Sequence, residues 1–99
     1  MQNRICAAIK GKFYVGILYD SSDDPITFAP HIVYREGQEI IVEGYDRGTK
    51  ANPSASQNWR RLVLAMIHDV TIFSTQFKPE LFFSGNVSQY RGEIICSIN

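Results

Sequence analysis

Two β-rich stretches separated by a short turn constrain this chain more than anything else in it. Residues 26–34 (ITFAPHIVY) and 39–45 (EIIVEGY) are dense in β-branched and aromatic side chains. Between them Arg35-Glu36-Gly37-Gln38 reads as a tight hairpin turn, so the two stretches are expected to pair as antiparallel strands. Pro30 cannot donate to a ladder and marks an edge or a bend. Gly44, inside the second stretch, marks a bulge or a close approach by another backbone.

The flanking segments extend this pattern. Residues 12–19 (KFYVGILY) are apolar on both alternating faces, as in a strand covered on both sides. Before them, Ile5, Cys6 and Ile9 recur at helical spacing over residues 2–10, and Gly11 supplies a stop. Asp20-Ser21-Ser22-Asp23-Asp24-Pro25 is turn-forming. Residues 46–58 form the longest polar stretch, and a loop of that length tends to be functional or mobile. Residues 59–70 (WRRLVLAMIHDV) fit a helical stripe by periodicity but also read as a strand. Residues 70–77 are β-like up to Pro79, with a short turn over 80–83, and 90–98 reads as a last strand.

With 99 residues, 44% apolar and 20% charged, a single globular domain is expected. Lys+Arg and Asp+Glu are 10 each, which disfavours a generic polyanion binder. The charge is uneven, however. Asp20, Asp23, Asp24, Glu36, Glu39, Glu43 and Asp46 face only Arg35 across 20–46, whereas Arg47, Lys50, Arg60 and Arg61 follow without an acid up to His68. Arg4, Lys10 and Lys12 add to the basic side, which forms an anion-attracting face if the fold collects them and a solvated surface if it does not. No membrane-spanning run and no secretory leader are evident, so the cytoplasm is the expected compartment. There Cys6 and Cys96 are expected as two small buried hydrophobes, although a bridge joining the chain ends is conceivable.

Signals of catalysis are thin. His31 and His68 stand in no metal-ligand spacing, no phosphate-cradling glycine loop is present, and no nucleophile motif surrounds any Ser or Cys. An enzyme is not expected, nor a cofactor; the weak exceptions are Cys6 paired with His31, or His31 beside an acid, against which stands a merely structural His31. More informative is the interleaving of Tyr14, Tyr19, Tyr34, Tyr45 and Trp59 with Arg35, Arg47, Arg60 and Arg61. Rings stack on bases and guanidinium groups grip phosphates, while the same rings can equally serve as core.

The run from Pro30 and His31 through Gly37 to Gly44-Tyr45-Asp46 resembles the central hairpin of the WYL domain family, of pattern P-H-x-L-x-x-x-x-G-x-W-Y-L-x-G-Y-D. The 5–9 helix with Val15-Gly16-Ile17-Leu18-Tyr19 is similar to the family's opening. Trp59-Arg60-Arg61-Leu62 through Ile67 resembles its W-R-x-F-R-L-D-R-I segment, and Phe77-Lys78-Pro79-Glu80 with Leu81-Phe82-Phe83 its F-x-x-P-x-x-F ending. Departures fall on the ligand side. Glu39-Ile40-Ile41 stands for Trp-Tyr-Leu, and Leu62, Val63, Ala65 and Met66 replace the family's Phe, Arg, Asp and Arg.

The resemblance implies one WYL-like domain over 1–99, with a core at about 4–83 and a C-terminal strand extension over 84–99. Its fold would be mainly β, an Sm-like barrel of about five strands with a short N-terminal helix, and 59–67 would be strand. It further implies a non-catalytic sensing or regulatory module for an anionic nucleotide or single-stranded nucleic acid, linked to transcription through a separate regulator, since the family's winged helix is not expected here. His31 and Tyr34, Tyr45 and Arg47, and Arg60 and Arg61 would contact the ligand, with Trp59 as a stacking platform. The alternative is a degenerate barrel serving protein–protein assembly, as a homo-oligomer or with a partner, through its strand edges.

Overall fold

The computed structural model describes residues 1–20, 23–49, 58–80 and 92–98. The chain is mainly β: a helix α1 (Gln2–Gly11), then β1 (Phe13–Tyr19), β2 (Ile26–Glu36), β3 (Glu39–Thr49), β4 (Asn58–Val63), a single 3-10 turn (Leu64–Met66), β5 (Ile67–Gln76) and β6 (Ile94–Ser97). The strands form one antiparallel sheet in the order β4-β3-β2-β1-β5, with β6 attached to β2. Among the described residues no ladder joins β4 to β5. The sheet is open, and the closed cylinder expected from the resemblance is not formed by these ladders.

β2 is the spine. Along one edge it pairs with β3 from Ile26↔Thr49 to Glu36↔Glu39, and the reversal falls at Gly37, whose φ of 63° suits a residue without Cβ. Along its other edge it pairs first with β1 (Ile17↔Ile26 to Val15↔Phe28) and then with β6 (Ile32↔Ser97 to Tyr34↔Ile94). Pro30 falls between those two partners, opposite Gly44, next to a register shift. Pro30 therefore lies inside a central strand, at a bulge where a missing N–H is tolerated and the strand bends.

β3 continues to Thr49, so four residues expected in the 46–58 loop are strand; the middle of that loop, 50–57, lies outside the described residues. Strand structure from Trp59 also holds against the helical stripe, but only to Val63. A 3-10 turn then redirects the chain into β5, where the resemblance implies strand through Ile67. Tyr19 fixes this corner, since its hydroxyl accepts from the Val63 N–H (3.0 Å) while the Asp20 N–H donates to the Met66 carbonyl (2.8 Å). The expected turns over 20–25 and 80–83 lie partly outside the described residues, as does the start of the last strand, which is described from Ile94.

α1 buries Ile5, Ala8 and Ile9 against the sheet, and Arg4 donates to the Val70 carbonyl on β5 (3.2 Å). The helix ends with Lys12, not Gly11, in the left-handed region (φ 59°). Gly11 is needed for space, because a Cβ there would sit 2.4 Å from the Phe13 ring. The core joins Ile5 and Ile9 to Val15, Ile17, Phe28, Ile32, Val33, Ile41, Val42 and Leu62, all at most 1% exposed. Cys6 and Cys96 are not separate thiols. They form a disulfide with Cα atoms 5.9 Å apart, because the β2–β6 ladder carries Cys96 beneath α1. Among the described residues no helix is long and apolar enough to cross a membrane.

Candidate functional site

The β3–β4 ladder sorts the expected ligand residues onto two faces. Glu43↔Arg61 and Tyr45↔Trp59 are opposite pairs on one face, and Arg60, opposite Gly44, points to the other with Asp46.

On the first face the groups satisfy one another. Glu43 accepts from the Tyr34 hydroxyl and from Trp59 Nε1 (2.7 Å). Arg61 Nε donates to the Tyr34 oxygen (3.3 Å), and its terminal nitrogen pairs with Glu36. Tyr34 is buried, and loss of solvent, helped by the Glu43 carboxylate, pushes its phenol up to about 12. Tyr45 is half-buried beside Trp59. Trp59 is half-buried too, so only part of its ring faces water.

On the second face Asp46, 1% exposed, accepts from Gly48 N–H (2.7 Å) and from Arg60 (2.9 Å), whose guanidinium lies 5.6 Å from the centre of the Tyr19 ring. Arg60 and Arg61 are thus each paired with an acid of this chain. Charge counting along the sequence missed this, because Asp46 lies 14 residues before Arg60 and Glu36 25 residues before Arg61, and they meet only across the sheet.

His31 is fully buried. Its Nε2 accepts the Glu80 N–H (3.0 Å), which leaves the proton on Nδ1 to be donated to the Ala29 carbonyl (2.8 Å). The Trp59 and Phe77 rings pack on it at 4.9 and 5.0 Å, and Phe77 in turn touches Tyr14 at 5.6 Å. The merely structural reading of His31 fits this placement: both ring nitrogens are engaged, and the ring has no face to solvent. Burial lowers its pKa from 6.5, opposed by the Ala29 bond. The unfolded chain therefore takes up the His31 proton first. Stability is complete above pH 6.5 and falls as the pH descends from there toward the lowered native value. The expected result is a urea midpoint that declines below pH 6.5, with a shallower decline in His31→Gln.

Arg47 stands apart. It is exposed, donates to the Tyr14 hydroxyl (3.0 Å), and its guanidinium lies 5.8 Å from the centre of that ring. Among the described residues no carboxylate pairs with it. Tyr14 and Arg47 open onto a surface cleft of about 410 Å³ completed by Thr27, Phe73 and Thr75. Phe73 is exposed and is held across Gly16, where a Cβ would lie 2.8 Å from the ring. Sequence reading did not single out Phe73, Thr27 or Thr75; the available signal was one large ring among the polar residues that end β5.

The structure thus divides the seven expected ligand residues. His31 and Tyr34 are in the interior, Trp59, Tyr45 and Arg61 share the Glu43 face, Arg60 is bound to Asp46, and only Arg47 reaches an aromatic cleft unopposed. Among the described residues no group of three or more His, Cys, Asp or Glu side chains is placed to hold a metal ion. Comparison with protein-family models, with curated proteins and with solved structures returns no match.

Proposed function

We propose that this chain is a non-catalytic binding module for a flat anion, a nucleotide or a short single-stranded nucleic acid, taken up at the Tyr14–Arg47–Phe73 cleft. The observation that carries this reading is Arg47, the one arginine among the expected ligand residues that pairs with no carboxylate among the described residues, and it lies beside ring surface. Stacking on an aromatic face contributes about 1–3 kcal/mol per base, and a guanidinium adds a phosphate grip that salt weakens. Thr27 and Thr75 add hydroxyl partners at the rim. The resemblance to the WYL family belongs to the same proposal, as does the link to a transcription regulator. So does closure into an Sm-like barrel, for which the 3-10 turn that folds β4 directly into β5 is the supporting feature.

The test is fluorescence anisotropy with a labelled single-stranded oligonucleotide across a salt series. Arg47→Ala and Phe73→Ala are each expected to weaken binding by about tenfold, with affinity falling steeply as salt rises. Arg60→Ala, whose guanidinium already holds Asp46, should leave affinity within about twofold once folding is checked. Affinity indifferent to Arg47 and to salt rejects the reading.

A second reading is favoured by a separate observation. The outer edges of β4 and β5 have no strand partner among the described residues, and Met66 in the turn before β5 and Ile72 and Phe73 on β5 are exposed. Such edges pair readily with another chain. Light scattering that finds a stable oligomer indifferent to oligonucleotide selects assembly over ligand binding.

A further inference from the structure

A groove of about 830 Å³ runs between α1 and β6, away from the Tyr14–Arg47 cleft. Asn3, Ala7 and Lys10, one face of α1, form one wall; Ile95 and Ser97 lie on the strand side, and Lys12 also lines it. The Cys6–Cys96 disulfide ties the two walls together at the floor.

The strand wall is an open edge. β6 pairs with β2 and, among the described residues, with no second strand. The Ile98 N–H donates to the His31 carbonyl (2.9 Å), which makes Ile32↔Ser97 a non-bonded position of the antiparallel ladder. The Ser97 N–H and C=O are therefore directed away from β2. The register shift between Val33 and Tyr34 makes Ile95 the extra residue of a bulge, which confines the regular edge to the half of β6 ending at Ser97.

That end is cationic. The Lys12 carbonyl accepts from the Phe77 N–H (2.8 Å), Phe77 packs on His31, and His31 holds Ile98, so Lys12 sits by the C-terminal end of β6. Among the described residues no carboxylate lines the groove, and neither Lys10 nor Lys12 is ion-paired. An open edge asks for an extended backbone, and two uncompensated ammonium groups ask for carboxylates at one end of it.

We propose that the α1–β6 groove binds an extended acidic peptide segment of a partner protein, added as a strand to the edge of β6 with its carboxylates at Lys10 and Lys12. This inference does not depend on the function proposed for the Tyr14–Arg47 cleft.

The probe is a labelled peptide of about six alternating valines and threonines ending in two glutamates, offered to the full chain. Two companions carry lysines for the glutamates, or a proline at the centre. The acidic peptide is expected to bind, and at least about tenfold more tightly than either companion. Lys10→Glu combined with Lys12→Glu should reverse the preference between the acidic and basic peptides. In the unaltered protein, amide exchange at Ser97 should slow on adding the acidic peptide, a readout that does not rely on the variants folding. Equal binding of the acidic and basic peptides, binding that tolerates the proline, or unchanged Ser97 exchange at saturation overturns the proposal. So does a single-stranded oligonucleotide that displaces the peptide from Lys10 and Lys12 and binds there more tightly, since the groove would then be a phosphate track.

Discussion

Gly44→Ala is expected to destabilise the fold by about 3–5 kcal/mol, a large share of the roughly 5–15 kcal/mol that holds a domain of this size together. A Cβ at that position would lie 2.1 Å from the Ala29 carbonyl oxygen and 2.8 Å from the Phe28 ring. Neither neighbour has room to yield. Phe28 is fully buried, and Ala29, itself buried, is held in β2 opposite Tyr45. β3 cannot retreat either, because Gly44 is also registered against Arg60 on β4. The carbonyl in the way is the one that accepts from His31 Nδ1, so displacing it also disturbs the ring that holds the Glu80 N–H. Gly37→Ala is the matched control. It has nothing within 4 Å and only its positive φ to lose, which costs about 1–2 kcal/mol. Urea unfolding of the two variants measures the difference. A Gly44→Ala protein as stable as Gly37→Ala would mean that β2 and β3 do not approach as described.

That glycine was legible in the sequence because a lone Gly between Glu43 and Tyr45 has few uses in a strand, and close backbone approach is one of them. The same local logic found α1, β1 and the β2–β3 hairpin. The bend read from Pro30 matches the register shift beside it, whereas the change of partner from β1 to β6 along the other edge of β2 is a long-range fact that no local pattern carries. For 59–70, periodicity and strand composition conflicted, and tertiary pairing with β3 decided. Trp59 and Arg61 face Tyr45 and Glu43 across a ladder that no local window contains.

The candidate site was legible as a set of residue types and not as an arrangement. Rings and guanidinium groups are interleaved along the chain, but their partners lie across strands. Arg60 finds Asp46, Arg61 finds Glu36 and Tyr34, and Trp59 finds Glu43, each pairing fixed by register. A one-residue slip would reassign all of them. Arg47 escapes because its guanidinium donates to the Tyr14 hydroxyl and pairs with no carboxylate among the described residues. The cysteines failed for a different reason. The expectation rested on compartment, whereas the pairing of β6 with β2 decides whether two residues 90 positions apart can meet.

Breaking the Cys6–Cys96 bond is expected to cost about 4 kcal/mol, because it closes almost the whole chain and loop-closure entropy grows with loop length. For a domain of about 100 residues, each kcal/mol moves the melting temperature by roughly 4–8 °C, so the expected fall is on the order of 15–30 °C. The loss should begin locally. β6 has four residues, all of them partly exposed, and its ladder with β2 is broken by a bulge. Three registered pairs are a weak hold for a chain end, and the disulfide to α1 supplies the rest. Without it, β6 should leave before the β4-β3-β2-β1-β5 core unfolds, uncovering the edge of β2 at Ile32, Val33 and Tyr34. Thermal melting with and without a dithiol, beside Cys6→Ser and Cys96→Ser, tests this. The dithiol and both variants should lower the midpoint alike, and amide exchange at Val33 should quicken well below it. An unchanged midpoint and unchanged exchange would restore the reading of two buried thiols. In that case the α1–β6 groove would have to be held open by the packing of Ile9, Ile94 and Ile98 alone, and Cys6→Ser would leave peptide binding there intact.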